Sequence, residues 1–399
     1  MSRGRSNFLP PMRNNVVLNI AALAMLSSCV DARAGHFSVT NLVTNDQSIN
    51  TAQITDSHLK NAWGISYGSA GPFWVSANGS GLSAIYNVNP LTNATTKLPM
   101  EVTIPGDGSV TGQVFNPTSA FNSAPFLFVS EDGTISGWRG ATTAEILQTA
   151  DPANIYKGVT QITIAGNHYL LSANFGTGRI DVLKSDPSSP DLVGNFTDPN
   201  LPAGYAPFNI QTIGGKLYVT YALQNGTHDL PGAGHGFVNS FDLEGVFLGR
   251  IATQGTLNSP WGLALAPSSF GDFAFDLLVG NFGDGRINAF DLATNAFVGQ
   301  LTGLNGNPLT IDGLWALTFG NGTNAGNTQE LYFSAGPNDE ADGLFGVIAA
   351  APETSAAIPE PSAFVISSIL LGVFGAAGLC KRVKRIVQTG CGVVAKASR

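Results

Sequence analysis

Ser259-Pro260-Trp261-Gly262-Leu263-Ala264-Leu265, then Leu277-Leu278-Val279-Gly280-Asn281-Phe282-Gly283, then Gly285-Arg286-Ile287-Asn288-Ala289-Phe290-Asp291 make up the phrase that decides the fold. An aromatic start leads into an apolar strand. A second strand ends in a polar, Gly-rich turn, and a third alternates polar and apolar residues as a half-buried strand does. Clear copies are Asn61-Ala62-Trp63-Gly64 with Phe73-Trp74-Val75-Ser76-Ala77-Asn78-Gly79, and Gly313-Leu314-Trp315-Ala316 with Leu331-Tyr332-Phe333-Ser334-Ala335-Gly336. Weaker copies begin near Thr118, Val159 and Asn209. Six starts, 41 to 55 residues apart, have the period of a four-stranded blade with its loops. The expected fold is therefore all-β: a six-bladed β-propeller over residues 35–350. Outer strands are expected at 246–251 and 297–301, and residues 37–42 are placed as the last strand of the closing blade.

Composition agrees with this. Charged residues are 12% and apolar ones 43%, with 48 Gly and 22 Pro, which favours turns over long helices. No cysteine lies between Cys29 and Cys380, so the body has no disulfide framework and no cysteine metal site. Between residues 35 and 380 there are 9 basic against 26 acidic residues, a net charge of −17. That body repels phosphate backbones, which excludes nucleic acid as a partner, and it attracts cations.

The ends read as addresses. Arg3, Arg5 and Arg13 precede an apolar run at 16–26, and Ala32-Arg33-Ala34 follows, giving a signal peptide over 1–34. Lipidation of Cys29, after Leu26-Ser27-Ser28, is the alternative to cleavage after Ala34. A linker at 351–362 holds Pro359-Glu360-Pro361. An uncharged stretch at 363–380 is long enough for one transmembrane helix, and 381–399 is a basic tail expected to stay cytoplasmic. This tripartite ending resembles the PEP-CTERM sorting signal. The resemblance implies an exosortase-type membrane enzyme as partner, with release to the cell surface or extracellular matrix; a permanent membrane anchor is the alternative. Phrases such as Tyr205-Ala206-Pro207-Phe208-Asn209-Ile210-Gln211, Trp261-Gly262-Leu263-Ala264-Leu265-Ala266-Pro267 and Ser334-Ala335-Gly336-Pro337-Asn338-Asp339-Glu340 look like an exported bacterial propeller family of uncharacterised proteins. More distantly, the blades are similar to NHL and SMP-30/gluconolactonase propellers.

Within antiparallel blades, first-strand starts and second-strand ends emerge on one face. That face gathers Asn61, Asn78, Glu131, Lys157, Asn174, Asn209, Asn281, Asp312 and Glu340. Glu131, Asn174, Asn209, Asn281 and Asp312 are the candidate ligands for Ca²⁺ or another divalent cation, set against the reading that Asn, Asp and Gly only make turns. Asn338-Asp339-Glu340-Ala341-Asp342-Gly343 imitates the start of an EF-hand loop, but position twelve is Ala349, so the bidentate Glu is missing and a looser Ca²⁺ loop of Asn338, Asp339, Glu340 and Asp342 is the alternative. Gly64-Ile65-Ser66-Tyr67-Gly68 matches G-x-S-x-G but sits on a strand, where a nucleophile elbow does not form. His228, Asp229 and His235 could hold Zn²⁺ or act as base and orienter, but with no third strong ligand nearby in sequence they read as a solvated loop. Trp63, Trp261 and Trp315 read as packing between blades rather than as a sugar platform.

No catalytic set assembles, so the expected role is a binding or structural module for a polysaccharide or protein ligand. The rival is a secreted metal-dependent hydrolase or lactonase of the SMP-30/gluconolactonase type.

Overall fold

The computed structural model describes residues 36–351, and these form a closed ring of six β-sheets. The innermost strands are Ala62–Ser66, Val110–Phe115, Tyr156–Ile164, Tyr205–Ile213, Pro260–Leu265 and Leu314–Phe319, in blades 1 to 6. In each blade the second strand returns antiparallel to the first. Examples are Phe73–Ala77 in blade 1 and Leu277–Asn281 in blade 5. The second strands of blades 1, 2, 5 and 6 are buried at every residue. They lie between two neighbours within the blade and two faces outside it, which is why they read as unbroken apolar runs. Apolar side chains from adjacent blades form the core between sheets. Phe37, Phe270, Phe273, Phe333 and Leu301 fill one such layer between blades 5 and 6.

Ring closure is non-local. His36–Thr44 pairs antiparallel with Leu344–Ala350 and becomes the outer strand of blade 6, as the sequence pattern anticipated. Phe37 is buried in the layer toward blade 5, and Leu42 and Val43 in the layer toward blade 1. The junction is locked by Asn45, whose Nδ2 donates to Asp342 Oδ1 (2.7 Å) and whose Oδ1 accepts from the Gly343 amide (2.9 Å). The outer strands Phe247–Thr253 and Ala296–Gln300 also lie where the alternation placed them.

Two expectations need correction. Blade 2 begins at Val110, not near Thr118. Thr118 belongs to a turn in which the Asn116 side chain donates to the Ala120 and Ala124 carbonyls, and Phe121, Asn122 and Ser123 have φ of 53°, 58° and 60°. The true inner strand, Val110-Thr111-Gly112-Gln113, has no aromatic residue at its start, so the repeat phrase misses it. Blade 3 has only three strands, ending at Arg179–Lys184. After it the chain leaves toward blade 4, where Phe196 packs against Phe241 and the Asp198 carboxylate pairs with Arg250 (2.6 Å).

Among the described residues no helix is long and apolar enough to cross a membrane. The signal segment 1–34, Pro359-Glu360-Pro361, the apolar stretch 363–380 and the basic tail lie outside the described residues.

Candidate functional site at the channel mouth

Every inner strand carries a register shift near its start, and in all but blade 2, where Thr111 donates to the Val129 and Tyr156 carbonyls, a residue at the shift is turned toward the axis. The shifts fall between Ala62 and Ile65, Val110 and Gln113, Tyr156 and Gly158, Pro207 and Asn209, Pro260 and Gly262, and Leu314 and Leu317. A bulge of this kind re-aims a side chain. It sends Trp63, Lys157, Phe208, Trp261 and Trp315 inward. The Trp63 and Trp315 rings stack at 3.7 Å, and Trp261 meets them edge-on at 6.3 and 6.0 Å. Blades 1 and 5 are not neighbours, so the Trp63–Trp261 contact puts these rings on the axis. The tryptophans thus pack, as expected, but across the channel rather than between blades. With Phe208 and Phe175 they form an aromatic layer.

Above this layer lies a polar network. Asn61 Oδ1 accepts from both indoles, Trp63 Nε1 (2.8 Å) and Trp315 Nε1 (3.1 Å). Its Nδ2 donates to Glu340 Oε2 (2.6 Å) and, more loosely, to Asn78 Oδ1 (3.3 Å). Asn78 Nδ2 donates to Glu131 Oε2 (3.3 Å), and the other Glu131 oxygen pairs with Lys157. Lys157 is 3% exposed, with its ammonium 5.0 Å over Trp63 and 5.9 Å from Phe175. Burial in such a place costs several kcal/mol unless the charge is paired, and the carboxylate and ring faces supply that pairing.

Asp229 joins from a short hairpin, Gln224 and Asn225 against His228 and Asp229, in blade 4. The Ser259 hydroxyl lies beside this carboxylate without closing a well-aligned bond, so Asp229 Oδ2 and Ser259 Oγ are buried with no partner. Burial pushes the Asp229 carboxyl above its ordinary range, against the lowering influence of Ser259 and Lys157. Burial also pushes Glu340 up; Asn61 and Lys157 oppose this, while the charges of Glu131 and Asp229 add to it. A depression of about 250 Å³ opens beside Glu340, lined by Asp312, Asp339, Pro231 and Phe282.

The residues named from sequence divide sharply. Glu131 and Glu340 enter the network, and Asp312 and Asp339 line the depression. Asn174 is bound into its own turn, accepting from the Ile155 and Thr177 amides and donating to Asp181. Asn209 donates to the Trp261 carbonyl (2.8 Å), within the wall of the channel. Asn281 donates to Thr256 and Asp284. The five proposed cation ligands therefore do not face one point. In the acidic loop, Asn338, Asp339 and Glu340 all have positive φ (59°, 51° and 65°), which folds Glu340 back over Asn61. Asp342 instead turns to Asn338 and Asn45 and serves ring closure. Ser66 has a buried hydroxyl without a partner.

Sequence reading missed the role of Asp229, placed on a solvated loop, because the hairpin that carries it inward has no apolar pattern. It also missed Asp56, His58 and Glu101, whose ligand atoms lie within 4.8 Å of one another at the edge of blade 1. There the Lys97 ammonium binds Asp56 Oδ1 (2.7 Å) and Glu101, occupying the place a metal ion would take.

No protein-family model matches the chain. In fold it is similar to the GH93 α-L-arabinofuranosidase of Fusarium graminearum in complex with arabinobiose. The TM-score is 0.52 at 9% identity, covering 78% of this chain and 97% of that one. It is 35% identical over 210 residues to the uncharacterized protein L690 of Acanthamoeba polyphaga mimivirus, half of this chain and 52% of that protein. It is 32% identical over 336 residues to the uncharacterized protein R648 of the same virus, covering 78% of this chain and 79% of that protein. These relatives correct the resemblance to an exported bacterial family with a PEP-CTERM tail: the blade phrases that carried it, such as Tyr205–Gln211 and Trp261–Leu265, are inner-strand segments set by the propeller fold. The chain belongs to the propeller family of the mimivirus protein R648.

Proposed function

We propose that this propeller is a binding module whose mouth receives a cationic group. The candidates are Ca²⁺ or a basic side chain of a partner protein. One observation carries the reading: Glu131, Glu340 and Asp229 share the mouth with a single ammonium, Lys157, and both Glu340 and Asp229 are pushed toward their neutral forms. A second positive charge favours the ionised form of these carboxylates. Asp312 and Asp339 in the adjoining depression extend the negative field toward solvent.

The test is calorimetric titration with CaCl₂ and, separately, with a Lys- and Arg-rich peptide, on wild type and on Asp229→Asn/Glu340→Gln. The reading requires saturable binding of one of these by wild type and at least about a tenfold loss in the double variant. Binding of neither sinks it.

A second reading, hydrolysis, is favoured by one feature: Glu340 is pushed toward its protonated form while Glu131 is paired with Lys157. Two carboxyl groups in contrasting environments suit acid and base roles. Turnover of aryl glycosides or lactones that is lost in Glu340→Gln supports it; no turnover of either class leaves binding alone. Export remains part of the proposal on the strength of the basic and apolar residues at 1–34, and cell fractionation tests it.

A further inference from the structure

Below the aromatic layer, the other half of the channel is a separate chamber of about 410 Å³, lined by all six inner strands. It lies beyond the bulges, at the far ends of those strands, and Trp261 lines its inner end. Its chemistry differs from that of the mouth: no Asp, Glu, Lys, Arg or His lines it. Polar groups come instead from amides and hydroxyls, among them Gln161, Gln211, Thr160, Thr212, Thr318 and Ser66. Apolar and aromatic surface, including Phe115 and Leu317, lies between them.

We propose that this chamber binds an uncharged, polyhydroxylated ligand, a neutral saccharide of one or two rings. Three observations converge on that class. First, a charged ligand would exchange water for a wall with no counter-charge, an uncompensated desolvation. Second, a wholly apolar ligand would strip water from the amides and hydroxyls and leave them unpaired. A molecule with hydroxyls around its rim and C–H faces between them meets both demands, because hydroxyls donate and accept and aromatic rings cover the C–H faces.

Third, the wall is partly pre-set by its own bonds. Thr160 and Thr212 hydroxyls bond across two blades at 2.9 Å, and the Tyr67 hydroxyl donates to the Phe319 carbonyl at 2.5 Å. The volume lies in the range of about 300–1,000 Å³ typical of small-molecule sites.

The experiment is calorimetric titration of the propeller with D-glucose, D-galactose, D-mannose and their disaccharides, with galacturonate and glucosamine as charged comparators. Saturable binding of at least one neutral sugar is expected, weaker for the charged ones. Gln211→Leu and Thr318→Val, each checked for a native melting transition, are expected to weaken it about tenfold. These half-buried wall positions are used as a pair so that one misfolded variant does not decide the matter. No saturable binding of any neutral sugar at roughly 10 mM overturns the proposal. So does binding that both folded variants leave unchanged, or a preference for the charged sugars.

Discussion

Asn61 is the residue on which the mouth turns. One amide joins two indoles, a carboxylate and a second amide, and φ of 45° sets its direction. Replacing it with Ala leaves the Trp63 and Trp315 N–H groups buried without acceptors. The expected cost is about 2–5 kcal/mol in urea unfolding, well above that of a surface Asn→Ala. The acids predict a pH effect of definite sign. Glu340 and Asp229 are raised above their ordinary values, so through that window the folded state holds protons that the unfolded state has lost. Stability contributed at these positions is therefore lost as pH rises from the unfolded carboxylate range through the raised values. Melting of Asp229→Asn/Glu340→Gln relative to wild type is expected to improve between about pH 4 and pH 7; an advantage that shrinks across this range contradicts the burial argument. From sequence, Glu131, Asn61 and Glu340 were legible because strand order alone places them at one end. Asp229 and the inward turn of the tryptophans were not, because a bulge leaves no mark in an apolar pattern.

Two elements carry loads that their length does not suggest. The strand His36–Thr44 closes the ring by pairing with a strand some 300 residues later in the chain, while a short parallel pairing with Ile54 and Thr55 covers its other edge. Leu42→Ala, at a fully buried position, is expected to cost about 2–5 kcal/mol and to lower one cooperative transition rather than detach one blade. Two separated transitions would show that the closing blade folds independently. The segment after blade 3 is held by Asp198, whose side chain is 1% exposed and bonded to Arg250 Nε and Asn239 Nδ2. Asp198→Ala strands the Arg250 charge and is expected to destabilise by about 3–5 kcal/mol; replacing both residues with apolar ones of similar size recovers much of that loss. The closing strand was readable at 37–42 because this segment precedes the first full copy of the repeat. The missing fourth strand of blade 3 was not, because repeat period constrains loop and strand together: residues 185–204 occupy the length of a strand without pairing as one.

At the scale of the whole molecule, six blades need only a repeated phrase and a closing strand, and both are written in local pattern. Function is written in what the ring brings together at its axis, from residues 61, 78, 131, 157, 229 and 340, which no spacing rule connects. The likeness to a solved arabinofuranosidase at 9% identity speaks to the ring and not to its axis. The family of R648 shares the body over 336 residues, so the mouth is a property to seek across that family. The central claim is that the mouth is an acidic receptor with more carboxylates than its single ammonium can pair. The most direct measurement is calorimetric titration of residues 36–351 with CaCl₂ and with a basic peptide across about pH 4 to 7. The account predicts that affinity for one of them strengthens with pH as Glu340 and Asp229 ionise, and that Asp229→Asn/Glu340→Gln abolishes this dependence. Affinity that is flat across the range, or equal in the double variant, contradicts it.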